Sequence, residues 1–136
     1  MLSNKKILLL EDDVVDIMTN QRALKQVNIS NELVVQENGE QGLNYLNNCD
    51  DLPGIILLDI NMPKMNGIEF LGHLKKNEAW SQIPVVVLTT SKDQNDKLET
   101  FKLGISGYMI KPVRYDDFKK MLTAIKDYWN LSEHPY

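Results

Sequence analysis

Strand-length apolar runs and helix-length amphipathic stretches alternate five times along this chain, and no other feature narrows its fold as far. The runs are KILLLE at 6 to 11, ELVVQE at 32 to 37, GIILLD at 54 to 59, PVVVLT at 84 to 89 and GYMI at 107 to 110. Each is rich in Val, Ile or Leu, and three are continuously apolar, as a strand covered on both faces must be. Between them, helical spacing puts Val14, Ile17, Met18 and Leu24 on one stripe, then Leu43 with Leu46, then Ile68, Leu71 and Leu74, then Leu98 with Phe101. The last stretch is the clearest, with Phe118, Leu122, Ile125 and Trp129 at steps of four, three and four, flanked by Tyr115 and Met121. Asp93 or Ser91 is suited to cap the fourth helix, and Gly104 to end it in a left-handed conformation. Parallel neighbours need a crossover connection, so strict alternation predicts an α/β fold: a five-stranded parallel sheet with helices on both faces. No repeat, low-complexity tract or linker interrupts the 136 residues, which read as one domain, 1–136.

Charge excludes two classes of partner. A net charge of -4 without clustered Lys and Arg does not suit a nucleic-acid surface, which must neutralise phosphates. Lys5 and Lys6 precede an apolar run broken early by Glu11 and Asp12, too short for a secretory signal or a spanning helix. The single cysteine, Cys49, cannot form an internal disulfide and has no ligand partners at metal spacing, which fits a reducing, cytoplasmic compartment.

Ligands of open parallel sheets bind beyond the carboxyl ends of the strands, where the strand order reverses. The residues closing each run therefore carry the functional information. The first ends in Glu11 and Asp12, the third in Asp59, the fourth in Thr89 and Thr90, and the fifth in Lys111 before Pro112; the second ends in Glu37 and Asn38, which read as a turn. With strand order 2-1-3-4-5, strands 1, 3, 4 and 5 lie side by side and these polar ends converge. Three carboxylates and Lys111 leave a net charge of -2, which one divalent cation cancels. Hard oxygen ligands with room for water suit Mg²⁺. A carboxylate beside Mg²⁺ and an ammonium is a competent nucleophile toward phosphorus, because both cations neutralise charge on the transferring oxygens. The product is an aspartyl phosphate, whose added charge and acceptor oxygens Thr89 and Lys111 are available to bind.

Glu11-Asp12 after LLL, DINMPKMNG around Asp59, VLTT at 87 to 90 and GYMIKP at 107 to 112 together resemble the receiver domain of two-component response regulators, in order and spacing over nearly the whole chain. The resemblance implies the flavodoxin-like order 2-1-3-4-5, which the chemotaxis receiver shares. It also implies that Asp59 accepts a phosphoryl group from a phosphohistidine on a sensor histidine kinase or a histidine phosphotransfer protein. Asp12, Asp59 and the backbone carbonyl of Asn61 would ligate Mg²⁺ directly, and Glu11 largely through water. Thr89 and Lys111 would bind phosphoryl oxygens, the lysine preceding Pro112 across a cis bond. Tyr108 matches the aromatic that moves inward as Thr89 shifts, and Asn61 and Ser91 occupy positions that tune hydrolysis of the acyl phosphate. A narrower resemblance, in NELVVQENGEQGLNYL, IPVVVLTTSK and the closing KDYW, is to stand-alone receivers that pair with phytochrome-type kinases. Those receivers often form homodimers through the fourth helix, fifth strand and fifth helix. With the chain ending after its fifth helix, output is expected through association, without an effector domain.

Structural roles compete for several residues. Asp13 suits a helix cap better than a metal site. Thr90 and Ser91 suit loop or capping positions, Tyr108 core filling, Trp80 and Trp129 packing, and His73 and His134 solvated surface. Lys64 and Asn66 suit a turn as well as a partner contact. A haloacid-dehalogenase-type phosphatase would need an acid two residues after its nucleophile, where this chain has Asn61. A flavodoxin-like nucleotide-binding module would need a phosphate loop where Glu11, Asp12 and Asp13 stand. A receiver acting without phosphorylation would lack a site residue, and none is missing.

Overall fold

The computed structural model describes residues 4–132, which excludes His134. Strands β1 (Ile7–Leu10), β2 (Leu33–Gln36), β3 (Ile55–Leu58), β4 (Val85–Thr89) and β5 (Gly107–Ile110) form one parallel sheet in the order β2-β1-β3-β4-β5. Helices α1 (Val14–Gln26), α2 (Gly39–Asn48), α3 (Gly67–Lys76), α4 (Gln94–Lys102) and α5 (Tyr115–Leu131) follow the strands in turn. Element order and sheet topology are those the alternation and the resemblance predict.

Side chains along a strand point alternately to opposite faces. Leu8, Leu10, Ile56, Leu58, Val85 and Val87 therefore enter one core with Leu46, Phe70, Leu71 and Leu74 of α2 and α3. Ile7, Leu9, Ile55, Leu57, Val86 and Leu88 enter the other with Ala23 and Leu24 of α1 and Phe118, Leu122 and Trp129 of α5. Each fully buried aliphatic side chain contributes roughly 1.5–3 kcal/mol. Two-sided cover explains why β1 and β3 are wholly aliphatic and buried, whereas the edge strands β2 and β5 are mostly half-buried.

Two helices depart from the inward face their apolar spacing suggests, α1 in part and α4 wholly. In α1 Leu24 is buried as expected and Ile17 is half-buried, but Val14 and Met18 are exposed, and Asn20 and Ala23 are buried. Asp16 lies on this inward side as well, its carboxylate paired with Lys111 at 2.8 Å. Asn20 follows it inward and donates to the Asp16 carbonyl at 2.9 Å. In α4 Leu98 and Phe101 are exposed, and the inward stripe runs through Asp96, Thr100 and Leu103. Thr100 can be buried there because its hydroxyl lies 2.9 Å from both the Asp96 and the Lys97 carbonyl oxygens. The stripe on α5 is as expected, with Ile125 half-buried between Leu122 and Trp129.

Local chemistry fixes the helix starts. Asp13 accepts from Asp16 N at 3.0 Å, Asn38 from Gln41 N at 2.9 Å, and Asp93 from both Asn95 N and Asp96 N. Asn66 and Glu69 form a reciprocal capping box, which gives Asn66 a structural role. Exposed Lys64 takes a left-handed φ of 64° in the turn before it, and Gly104 has φ of 85° just past α4. His73 is exposed; Trp80 is half-buried against the first core, and Trp129 is buried in the second.

Gly67 closes the loop after β3. Its amide donates to Ile60 O at 2.9 Å, and a Cβ there would collide with the Asp59 carbonyl oxygen and lie 2.9 Å from Ile60 Cα. Gly67→Ala is expected to lower the unfolding free energy by roughly 1–3 kcal/mol, read from urea denaturation. Gly72→Ala, whose added Cβ meets nothing within 4 Å, should raise it by about 0.5–1 kcal/mol as the helix interior loses a glycine.

Candidate functional site

The sheet's hydrogen bonding runs one residue past the strands and so places the polar residues that follow them. Glu11 N donates to Gln36 O at 3.0 Å, Asp59 N to Leu10 O at 3.0 Å, and Lys111 N to Thr89 O at 2.8 Å. With Leu10 in register with Leu58, Glu11 and Asp59 emerge side by side from β1 and β3. Oxygen atoms of Glu11, Asp12 and Asp59 all lie within 4.8 Å of one another. Glu11 is 1% exposed and Asp59 7%, with Asp12 half-buried at the rim. Hard carboxylate donors gathered this closely can hold a divalent cation.

Lys111 crosses from the end of β5 into this cluster. Its Nζ lies 2.6 Å from Glu11 Oε1, 2.8 Å from Asp16 Oδ2 and 3.6 Å from Asp59 Oδ2. It does so from a trans peptide: there is no cis bond among the described residues, contrary to the expectation for Lys111-Pro112. The trans form is the intrinsically favoured one even before proline, and the lysine reaches all three acids from it.

Thr89 is fully buried at the end of β4, and its Oγ1 accepts from Ser91 N at 3.2 Å. Tyr108 is half-buried against the first core, its hydroxyl donating to Ser91 O at 2.9 Å and its ring centroid 6.5 Å from that of Phe101. Ser91 donates in turn to Asp96 Oδ2 at 2.8 Å. Asn61 is exposed in the loop after Asp59. Thus the sheet unites Glu11, Asp12, Asp59 and Lys111 at one end, while Tyr108 engages the β4–α4 loop that starts beyond Thr89.

One participant is invisible to motif reading. Asp16 lies in the first turn of α1, where an acid is ordinarily explained by the helix dipole. Its sequence neighbourhood gives no signal beyond that, because its partner Lys111 is 95 residues away. Asp13, by contrast, is the cap and stays exposed, as its position suggests. Cys49 is a free, half-buried thiol raised in pKa by burial, and has no part in the cluster.

Residues 7–123 match the response regulator receiver domain. The chain belongs to that family. Among relatives of this receiver, the response regulator Rcp1 of Synechocystis is 35% identical over 130 residues, 92% of this chain and 88% of Rcp1. The probable methanogenesis regulatory protein FilR2 of Methanothrix harundinacea is 35% identical over 127 residues, 90% of this chain and 82% of FilR2. Among solved structures, the phosphorylated cyanobacterial phytochrome response regulator RcpA superposes with a TM-score of 0.91 at 31% identity, covering 98% of this chain and all of RcpA's. The Mn²⁺-bound form of Rcp1 gives 0.87 at 34% identity, covering 97% and 99%. The protein is therefore a signalling domain of two-component systems, a class phosphorylated by histidine kinases. No helix of the described residues is long and apolar enough to cross a membrane.

Electrostatically the receiver's cluster is a compromise. Burial pushes the Glu11 carboxyl from 4.5 up to about 7; the hydrogen bond from Lys111 opposes this and the charge of Asp59 reinforces it. For Lys111, burial disfavours the cation, but hydrogen bonds to Asp16 and Glu11 and the charge of Asp59 outweigh it, and the net shift is upward. Lys111 thus stays charged beside a Glu11 whose neutral form burial favours. Between pH 4.5 and about 7 folded Glu11 binds more protons than unfolded Glu11, so its contribution to stability is full below that window and is lost as pH rises through it. In EDTA, urea unfolding at pH 5 and pH 8 should show a fall that Glu11→Gln diminishes; an equal fall in both proteins would mean another group titrates.

Proposed function

We propose that this receiver is switched by phosphoryl transfer to Asp59 from a phosphohistidine of a sensor histidine kinase or a histidine phosphotransfer protein. The observation that carries the reading is the Asp59 carboxylate, 7% exposed, with Lys111 Nζ 3.6 Å from Oδ2 and the Glu11 and Asp12 oxygens beside it. A carboxylate oxygen of Asp59 forms the new O–P bond as the N–P bond of the donor breaks, and the imidazole leaves with the electron pair. Glu11, Asp12, Asp59 and the Asn61 carbonyl are the residues that would hold Mg²⁺. When bound, the ion neutralises charge on the transferring oxygens. Rcp1 has been crystallised in a Mn²⁺-bound form, which supports a divalent ion in this class of site.

Lys111 moves from its carboxylate partners to the incoming phosphoryl oxygens. Thr89 Oγ1 already accepts a backbone amide, so its own proton is available for a phosphoryl oxygen. A shift of Thr89 reaches Tyr108 through Ser91, which bonds both side chains. Asn61 and Ser91, small and polar, leave water access to the acyl phosphate and set its lifetime.

Two exposed apolar surfaces suit partners. Val14, Val15 and Met18 on α1 are 65%, 70% and 61% exposed, and Val113 stands fully exposed two residues after Lys111, a rim against which a phosphodonor helix can dock. Leu98 and Phe101 on α4 with Ile110 at the end of β5 form a second surface, suited to a homodimer through α4, β5 and α5. The output assigned to this cytoplasmic receiver is association rather than nucleic-acid or membrane binding; Rcp1 and RcpA, matched over 88% and 100% of their own lengths, are response regulators of similar extent.

Incubation with acetyl phosphate and Mg²⁺ followed by intact-mass measurement should give one metal-dependent phosphoryl adduct in the wild type and none in Asp59→Asn. A full-yield adduct in that variant would reassign the acceptor. Sedimentation with beryllofluoride should give a heavier species than without it, and Phe101→Glu should remove the difference; equal masses in the wild type would remove the dimer from the reading.

A further inference from the structure

Lys111 has three carboxylates in reach and one ammonium to divide among them. Its side chain is 9% exposed, so water is a poor substitute for any partner it loses. Glu11 at 2.6 Å and Asp16 at 2.8 Å hold the ammonium now, while Asp59 stands at 3.6 Å. Glu11 and Asp59 belong to the three-carboxylate cluster; Asp16 does not, and it is not the cap of α1, which is Asp13. Its carboxylate pairs with a residue 95 positions away, and neither metal binding nor phosphoryl transfer requires it.

The two short pairs differ in how they can be broken. The Glu11 side chain is 2% exposed, so water cannot take the place of the ammonium there. The Asp16 side chain is 37% exposed and can be rehydrated where it stands. When a phosphoryl oxygen claims Lys111, the bond to Asp16 is the one that yields at lower cost.

We propose that Asp16 is a positioning residue that competes with the phosphoryl group for Lys111: it draws the ammonium toward α1 in the resting state, away from the Asp59 oxygens, and releases it on phosphorylation. This rests on Asp59 being the phosphoacceptor. Release leaves an unpaired negative charge on the first turn of α1, the helix whose other side carries the exposed Val14, Val15 and Met18. The modification is thereby reported on that helix as well as through Thr89 and Tyr108.

The test is beryllofluoride affinity at fixed, saturating Mg²⁺, measured by ¹⁹F NMR titration. Asp16→Asn should tighten binding by about fivefold, because one competitor for Lys111 is gone. Asp16→Glu, which keeps the competing charge, should stay closer to the wild type. In a Lys111→Met background the Asp16→Asn substitution should have no effect, which separates competition from a general structural change in α1. Unchanged or weaker binding in Asp16→Asn, or a gain that persists without the lysine, would overturn the proposal. Beryllofluoride binding by the wild type that survives Asp59→Asn would instead remove the phosphoacceptor reading, and this inference with it.

Discussion

Mutual repulsion among carboxylates pinned at adjacent strand ends is the constraint around which the rest of this molecule is arranged. Two like charges 4 Å apart repel by roughly 4 kcal/mol at an effective dielectric near 20. The backbone gives these acids little freedom to relax, since the amides of Glu11 and Asp59 are bonded to Gln36 and Leu10 on neighbouring strands. A rigid, doubly covered aliphatic sheet can support such an arrangement where a loop would move apart. Lys111 is the cationic offset supplied by the chain itself, while burial first, and the charge of Asp59 after it, favours the neutral form of Glu11.

Sequence patterning reaches the sheet more directly than the helices. β1, β3 and β4 are legible because burial on both faces removes almost every polar residue from them, and α5 because Phe118, Leu122 and Trp129 all turn inward. α1 is legible only in part, since Leu24 turns inward as its spacing suggests while Val14 and Met18 do not, and α4 is not legible, since Leu98 and Phe101 lie outward; Asn20 and Thr100, polar groups that bond back to their own helices, take inward positions. Hydrophobic spacing cannot register the pairing of Asp16 with Lys111, 95 residues away. The strand-end acids and Lys111 are legible because topology alone brings them together. Which acids the lysine actually touches depends on side-chain reach, which spacing along the chain does not encode.

The hydroxyl of Tyr108 bridges from β5 to the carbonyl of Ser91, whose amide is bonded to Thr89. Outward rotation of the ring breaks that tether unless the backbone after β4 travels with it. Any swing of the ring is thereby geared to the backbone beyond β4, so that a displacement of either one would register in the other.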